Sequence, residues 1–307
     1  MMNISLLLGG IILFIYAIDL LTNDLLKLSI DKVKDKLKKL TTSLHSSILT
    51  GFISTSIIQS SSALIMITIA LINANLLNFN QSLGIVLGSN IATTITSFIV
   101  GLNIEKYSSL IMAFSIFFFT NKNPKIVKIS KIFFALSLLF FSISLMSYST
   151  INLQQNPKIY TYINKVANNF FLSLIVGILF TGALQSSSVF IAIIQVLGLS
   201  GFISLHQAIP LIFGANIGTS FDPLLTIFSC NKESKKLAHF SIFFNILTVI
   251  IFIIFLNPFT FILDKIASAL HANIAINIAL INILFNLFGV LITLPFINKI
   301  KRYYAKW

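Results

Sequence analysis

The chain contains an internal repeat, which constrains its fold more than any other sequence feature. Sliding the sequence along itself by 126 residues aligns residues 59–62 with residues 185–188, and both segments read Gln-Ser-Ser-Ser (QSSS). The same offset also aligns residues 88–91 with 214–217, and an identical five-residue segment at 114–118 and 240–244. Because one register holds without a gap, we infer a duplicated unit and not chance similarity between serine-rich runs.

Long apolar runs indicate that the duplicated unit is built for a membrane. Hydrophobic residues make up 56% of the 307 residues and charged residues only 9%, whereas soluble domains carry about 25% charged residues. A bilayer-spanning helix needs about 20 apolar residues, and several stretches approach that length. We therefore predict an all-α integral membrane protein with a single transport domain over residues 1–307. Cys230 is the only cysteine, so neither a disulfide framework nor a thiolate metal site is expected.

The basic residues are clustered in a way that predicts the topology. Despite the net charge of +13, we expect no nucleic-acid binding, because the lysines lie in short clusters between apolar runs, as cytoplasmic loops do. If all clusters face the cytoplasm, helix 4–21 runs inward and its repeat counterpart 132–147 runs outward. The chain is then expected to form two inverted-topology repeats, at about 4–120 and 132–256, plus a C-terminal transmembrane helix at about 274–297.

The same charge placement predicts that each QSSS segment forms a re-entrant hairpin. If residues 46–73 and 172–199 crossed the bilayer completely, the lysine clusters would alternate between the two sides. Hairpins that enter and leave on one side keep every cluster in the cytoplasm. Residues 22–41, where leucines alternate with lysines, predict a basic amphipathic helix on the membrane surface, with a solvated linker helix as the alternative.

Polar side chains inside these hairpins indicate a binding site. Irregular polar segments at membrane depth need a surrounding wet cavity, and broken helices there present N–H groups and partial positive charge to anions. Serine hydroxyls and glutamine amides can replace part of the hydration shell of an oxyanion. The predicted anion-binding residues are Gln59, Ser60, Ser61, Ser62, Gln185, Ser186, Ser187 and Ser188.

Few fixed charges accompany the predicted anion, so we expect a mobile cation to bind with it. Residues 41–104 contain no Asp, Glu, Lys or Arg, and residues 166–231 contain only Asp222. Helix N-termini offer about half a charge each, and hard cations such as sodium prefer oxygen ligands. The predicted sodium ligands are Asn90, Thr93, Asn216, Thr219 and Asp222. Interhelical hydrogen bonding is the alternative for the asparagines, and a proton site or a helix-end position before Pro223 is the alternative for Asp222.

These motifs resemble the sodium/phosphate cotransporter family, that is, the type II family with its bacterial members. Both QSSS segments are followed about thirty residues later by a Gly-x-Asn-Ile box, and residues 8–26 and 238–245 are also similar. The resemblance implies inorganic phosphate as the substrate of the two QSSS hairpins, sodium as the coupling ion, alternating access and no other cofactor. The family box commonly reads Gly-Ala-Asn-Ile-Gly-Thr, whereas the first copy here has Ser89 and Ala92, which leaves sodium stoichiometry open.

Other functions compete with phosphate cotransport. A sodium-coupled carrier of another small anion would use the same architecture, and an anion channel would need a continuous polar path. An intramembrane enzyme would need a Ser–His pair, but no histidine lies near either QSSS segment in sequence. We therefore expect a multi-pass transporter of the bacterial inner membrane and not an enzyme, with transport direction and oligomeric state left open. Many bacterial relatives carry a PhoU-type C-terminal domain, so a regulator of that type is expected here as a separate soluble protein or not at all.

Overall fold

A computed structural model describes residues 2–102, 104–227 and 230–307, and these ranges are almost entirely helical without any strand. The helices in chain order are α1 (Met2–Leu40), α2 (Leu44–Ile58), α3 (Ser61–Asn73), α4 (Phe79–Gly101), α5 (Ser108–Phe117), α6 (Pro124–Gln154), α7 (Pro157–Ala167), α8 (Phe170–Leu184), α9 (Ser187–Leu199), α10 (Leu205–Gly218), α11 (Phe221–Thr226), α12 (Lys232–Ile254), α13 (Leu256–Leu270), α14 (Ile274–Thr293) and α15 (Ile297–Lys306).

Six helical segments among the described residues are long and apolar enough to cross a bilayer. They are Asn3–Lys27, Phe79–Gly101, Pro124–Gln154, Leu205–Leu225, Lys232–Ile254 and Ile274–Lys306. This confirms the predicted all-α, multi-pass membrane fold.

The internal repeat is visible in the bounds of the helices. Both α2 and α8 have 15 residues, both α3 and α9 have 13 residues, and each second copy begins 126 residues after the first. At a rise of about 1.5 Å per residue, none of these four helices reaches the roughly 30 Å of a hydrocarbon core. Their lengths agree with hairpins, and the entry and exit of each pair on one side of the bilayer stays a prediction.

Glycines hold the first helix of each QSSS pair directly against the following long helix. A Cβ at Gly88 would overlap the carbonyl oxygen of Ile48 in α2, and a Cβ at Gly214 would overlap that of Leu174 in α8. The two contacts lie at equivalent repeat positions. Small residues allow backbones to approach closely in membrane bundles, so the glycines of the Gly-x-Asn-Ile boxes fix where α4 and α10 present their polar residues.

Three helices differ from the sequence-based prediction. The first membrane helix and the amphipathic segment 22–41 form one continuous helix, α1, of 39 residues, because the leucines and lysines there favour helix and no proline or glycine interrupts them. The apolar segments 107–120 and 205–228 predict one crossing each. Helix α5 has only 10 residues, so the first of these is shorter than a full span, and Thr219 and Ser220 separate α10 from α11 in the second.

The predicted extra C-terminal helix, α14, occupies a central position. It packs against α4 of the first repeat and against α9 and α10 of the second. Its buried residues include Asn282 and Asn286 as well as apolar side chains. Helix α14 therefore joins the two repeats behind the QSSS segments.

Candidate functional site

Each QSSS segment forms a sharp break between two helices, and the two breaks have the same backbone geometry. Gln59 ends α2 with φ of 60° and Gln185 ends α8 with φ of 52°, a left-handed conformation that few non-glycine residues adopt. The following residue begins the next helix, because the Ser60 hydroxyl accepts from the N–H of Ala63 at 3.2 Å and the Ser186 hydroxyl accepts from the N–H of Val189 at 3.4 Å. This reversal places both serine runs in the first turns of α3 and α9.

The two QSSS segments meet at one cavity of about 270 Å³. All eight predicted anion-binding residues line it, together with Thr93 of α4 and Thr219, which follows α10. Four further lining residues, Ile15, Ile18, Leu184 and Val189, are apolar. The structure thus gathers residues that lie far apart in the sequence around one polar space with apolar flanks.

Hydrogen-bond donors in the cavity are left without protein partners. The first N–H groups of any α-helix have no carbonyl partner within the helix, and the first turns of α3 and α9 both contribute to the cavity wall. The hydroxyls of Ser61, Ser187 and Ser188 form no hydrogen bond with another described residue. Two helix N-termini with free hydroxyls suit an anion that accepts several hydrogen bonds.

The two segments differ in how many of their polar groups are already occupied. The Gln59 amide donates to the Ser56 carbonyl at 2.5 Å and accepts from the Thr96 hydroxyl at 2.9 Å. Ser62 interacts with the nearby Asp222 carboxyl group. The Gln185 side chain, by contrast, is exposed and has no hydrogen-bond partner among the described residues. The second QSSS segment therefore has more free donors for a ligand.

This asymmetry gives a testable prediction for Gln185. Replacing Gln185 with glycine keeps the left-handed backbone at no steric cost and removes only the free amide, so we expect anion affinity to fall by roughly tenfold, the effect of one hydrogen bond to a charged ligand. Thermal stability in detergent should stay within about 2 °C of wild type. Gln185→Ala keeps the Cβ that glutamine already carries in the left-handed region, so we expect the same loss of affinity with stability close to wild type.

The predicted sodium ligands fall into two groups. Thr93 and Thr219 line the cavity, and their hydroxyls donate to the carbonyls of Asn90 and Asn216 at 2.6 Å. The asparagine side chains lie behind the wall, where both are buried and each donates to a carbonyl one turn earlier in its own helix at 2.9 Å. Asp222 does not line the cavity and reaches it only through Ser62. The structure therefore brings the two threonines together in the cavity wall, and sodium binding by the asparagine oxygens stays a prediction.

Sequence reasoning missed a buried amide network behind the second box. Asn216 donates to the Asn282 side-chain oxygen at 3.2 Å, and Asn286 donates to the Asn216 side-chain oxygen at 3.2 Å. Asn282 also donates to the Ser97 hydroxyl of α4 at 3.2 Å. The two α14 asparagines, Asn282 and Asn286, are not highlighted by the repeat at an offset of 126 residues, because α14 follows the second repeat at 132–256. Interhelical amide bonds of this kind fix helix positions in membranes.

Two residues of α1 also escaped the sequence analysis. Asp19 and Thr22 line the same cavity as both QSSS segments. An aspartate within a membrane-spanning segment is a functional candidate by default. Asp19 stands inside the first apolar run of the sequence, outside the segments 41–104 and 166–231 around the two QSSS motifs. Asp19 lies in the candidate span Asn3–Lys27.

No positive side chain lies in the wall of the cavity. None of its lining residues is a lysine, arginine or histidine. The described residues also contain no group of three or more His, Cys, Asp or Glu side chains that could hold a metal ion. A larger cavity of about 450 Å³ between α5 and α6 is lined almost wholly by apolar side chains, so it does not suit an anion.

Known proteins resemble this chain over most of its length. YqeW of Bacillus subtilis (strain 168), named as an uncharacterized protein, is 26% identical over 292 residues, which cover 95% of this chain and 94% of YqeW. YjbB of Escherichia coli (strain K12), whose name gives it a provisional role as an inorganic phosphate export protein, is 22% identical over 250 residues. That alignment covers 81% of this chain and 45% of YjbB, so the chain matches less than half of this relative. No solved structure gives a significant match.

The family comparison agrees with the duplicated architecture. The model of the Na+/Pi-cotransporter family matches the chain twice in tandem, at residues 13–148 and at residues 149–284. The boundary between the matches falls within α6, and the second match extends into α14. Since the two matches together cover most of the sequence, this protein belongs to the Na+/Pi-cotransporter family.

Proposed function

We propose that this protein is a sodium-coupled secondary transporter of inorganic phosphate, which it holds between the two QSSS segments during alternating access. The observation that carries the proposal is the cavity of about 270 Å³ lined by both segments. Family membership and the phosphate role in the name of YjbB support phosphate as the substrate.

Phosphate is expected to bind through the first turns of α3 and α9. The free hydroxyls of Ser61, Ser187 and Ser188 and the Gln185 amide can donate to the four oxygens of a phosphate ion. The opposed helix N-termini supply partial positive charge. Because the second segment has more free donors, we propose that it makes the larger contribution to phosphate affinity.

Sodium is expected to offset the charge that the protein leaves uncompensated. The cavity wall offers no positive side chain to a phosphate ion, and burial of an unpaired charge is costly. Thr93 and Thr219 present oxygens at the wall, Asn90 and Asn216 lie one helical turn or less away in the same boxes, and Asp222 interacts with Ser62 of the wall. We propose sodium at these residues, entering with phosphate.

The same arrangement favours transport over catalysis. A serine nucleophile needs a neighbouring base such as histidine, and no histidine lines the cavity. A symporter runs in the direction that its gradients dictate, so the export role in the name of YjbB is compatible with the same residues. A separate soluble regulator and a homo-oligomeric assembly remain predictions.

Counterflow separates phosphate transport from its alternatives. Purified protein in liposomes that contain unlabelled phosphate and sodium is given radiolabelled phosphate outside, and we expect the label to accumulate transiently. Sulfate or a dicarboxylate inside should not support this accumulation. Equal counterflow with internal sulfate would assign the protein to other anions. Label that only equilibrates, with no overshoot, would indicate a channel, because counterflow requires a carrier.

A further inference from the structure

Asp19 is the single formally charged residue in the wall of the QSSS cavity. It lies one helical turn before Thr22 on α1, and both line the cavity with the two serine runs. Asp19 is exposed to the cavity side of the helix and forms no ion pair or hydrogen bond with another described residue. A free carboxylate inside a membrane-spanning segment therefore faces the site proposed for an anion.

The position of Asp19 creates an electrostatic conflict. Two negative charges in a poorly solvated cavity repel each other far more than they do in water, and the wall contains no lysine, arginine or histidine to separate them. Asp19 would oppose phosphate binding unless a cation lies between the two groups. A carboxylate and hydroxyl oxygens are the ligands that hard cations prefer.

We propose that Asp19 and Thr22 form a sodium site on the α1 side of the cavity, which must fill before phosphate binds. The site would use the Asp19 carboxylate, the Thr22 hydroxyl and the adjacent serine hydroxyls as oxygen ligands. This inference rests on the proposed function and adds to it a cation position that is separate from Thr93, Thr219 and Asp222.

The proposed Asp19–Thr22 site has no counterpart in the second repeat. The repeat counterparts of Asp19 and Thr22 are Leu145 and Tyr148 of α6, and neither lines the cavity. The inverted repeat therefore does not generate a second copy of the site. A single cation on this side would therefore add to the sodium proposed at Thr93 and Thr219 and not duplicate it.

The test compares Asp19→Asn with Asp24→Asn, a matched control on the same helix that does not line the cavity. Phosphate uptake into liposomes is measured against sodium concentration at a phosphate concentration well below saturation, so that the sodium that must bind first stays visible. For Asp19→Asn we expect the half-maximal sodium concentration to rise by about tenfold or more, with a lower Hill coefficient. Asp24→Asn should stay within about twofold of wild type, and Asp19→Glu should recover part of the sodium affinity because it restores the charge.

A binding measurement keeps the test independent of flux. Sodium alone, without phosphate, should raise the melting temperature of detergent-purified wild type and Asp24→Asn, because a ligand that binds only the folded state stabilises it. The rise should require about tenfold more sodium in Asp19→Asn. Wild-type uptake that requires sodium, combined with an unchanged sodium dependence in Asp19→Asn, would overturn this inference alone. Wild-type uptake that is indifferent to sodium would overturn the proposed coupling itself.

Discussion

A variant with both Ser61→Ala and Ser187→Ala is expected to lose phosphate transport while remaining folded. Each substitution removes one free hydroxyl from the first turn of α3 or α9, and both hydroxyls lie in the cavity wall. A hydrogen bond to a charged group contributes about 1.5–3 kcal/mol, so the pair should weaken phosphate binding by roughly a hundredfold or more. Radiolabelled phosphate uptake in liposomes measures the loss, and each single variant should fall between the double variant and wild type.

Ser56→Ala is the matched control for this experiment. Ser56 lies in α2, one turn before the break, and its hydroxyl donates to the Phe52 carbonyl within the same helix at 2.7 Å. It does not line the cavity, so its removal should change uptake by less than about twofold, as expected for a hydroxyl outside the site. If the double variant transports phosphate like Ser56→Ala, the anion does not bind at the QSSS segments.

The Gly214→Leu variant is expected to destabilise the native fold. A Cβ at Gly214 would lie 2.9 Å from the Gly177 Cα and would overlap the Leu174 carbonyl oxygen. Helices α8 and α10 would have to separate, and overpacking of a close contact costs about 1–3 kcal/mol or more. The expected result is loss of the monodisperse peak in size-exclusion chromatography, or a melting temperature lower by about 10 °C for a domain of this size.

Gly9→Leu separates this packing effect from the general cost of replacing a helical glycine. No other group lies within 4 Å of a Cβ placed at Gly9 in α1. Leucine also favours helix over glycine by nearly 1 kcal/mol, so this control should fold and melt at or above the wild-type temperature. A Gly214→Leu protein as stable as Gly9→Leu would show that α8 and α10 do not pack backbone to backbone.

The repeat made much of the fold predictable from the sequence. Equivalent positions such as Gly51 and Gly177 belong to helices of equal length that end in the same left-handed break at Gln59 and Gln185, although their N-caps, Ser43 and Asn169, differ. The QSSS segments were predicted to share one cavity, and the structure brings them together. The family prediction was confirmed by the tandem match at residues 13–148 and 149–284.

The features outside the repeat were harder to predict. Asp19 has no acidic counterpart, and Asn282 lies in a helix outside the duplicated unit, so comparison between the two halves highlights neither residue. The asparagines at 90 and 216 were predicted as ligands because their repeat positions match. The structure directs each side-chain N–H to its own helix backbone, a contact that a sequence pattern does not encode, and the role of the side-chain oxygens stays a prediction.

Sodium-driven phosphate accumulation tests the central claim most directly. Purified protein in liposomes is given radiolabelled phosphate with an inward sodium gradient, and a parallel sample receives potassium in place of sodium. We expect accumulation above equilibrium with sodium, collapse of that accumulation when an ionophore dissipates the gradient, and only background flux with potassium. Equal phosphate uptake in the two cations, from protein shown to be folded, would contradict sodium-coupled phosphate transport.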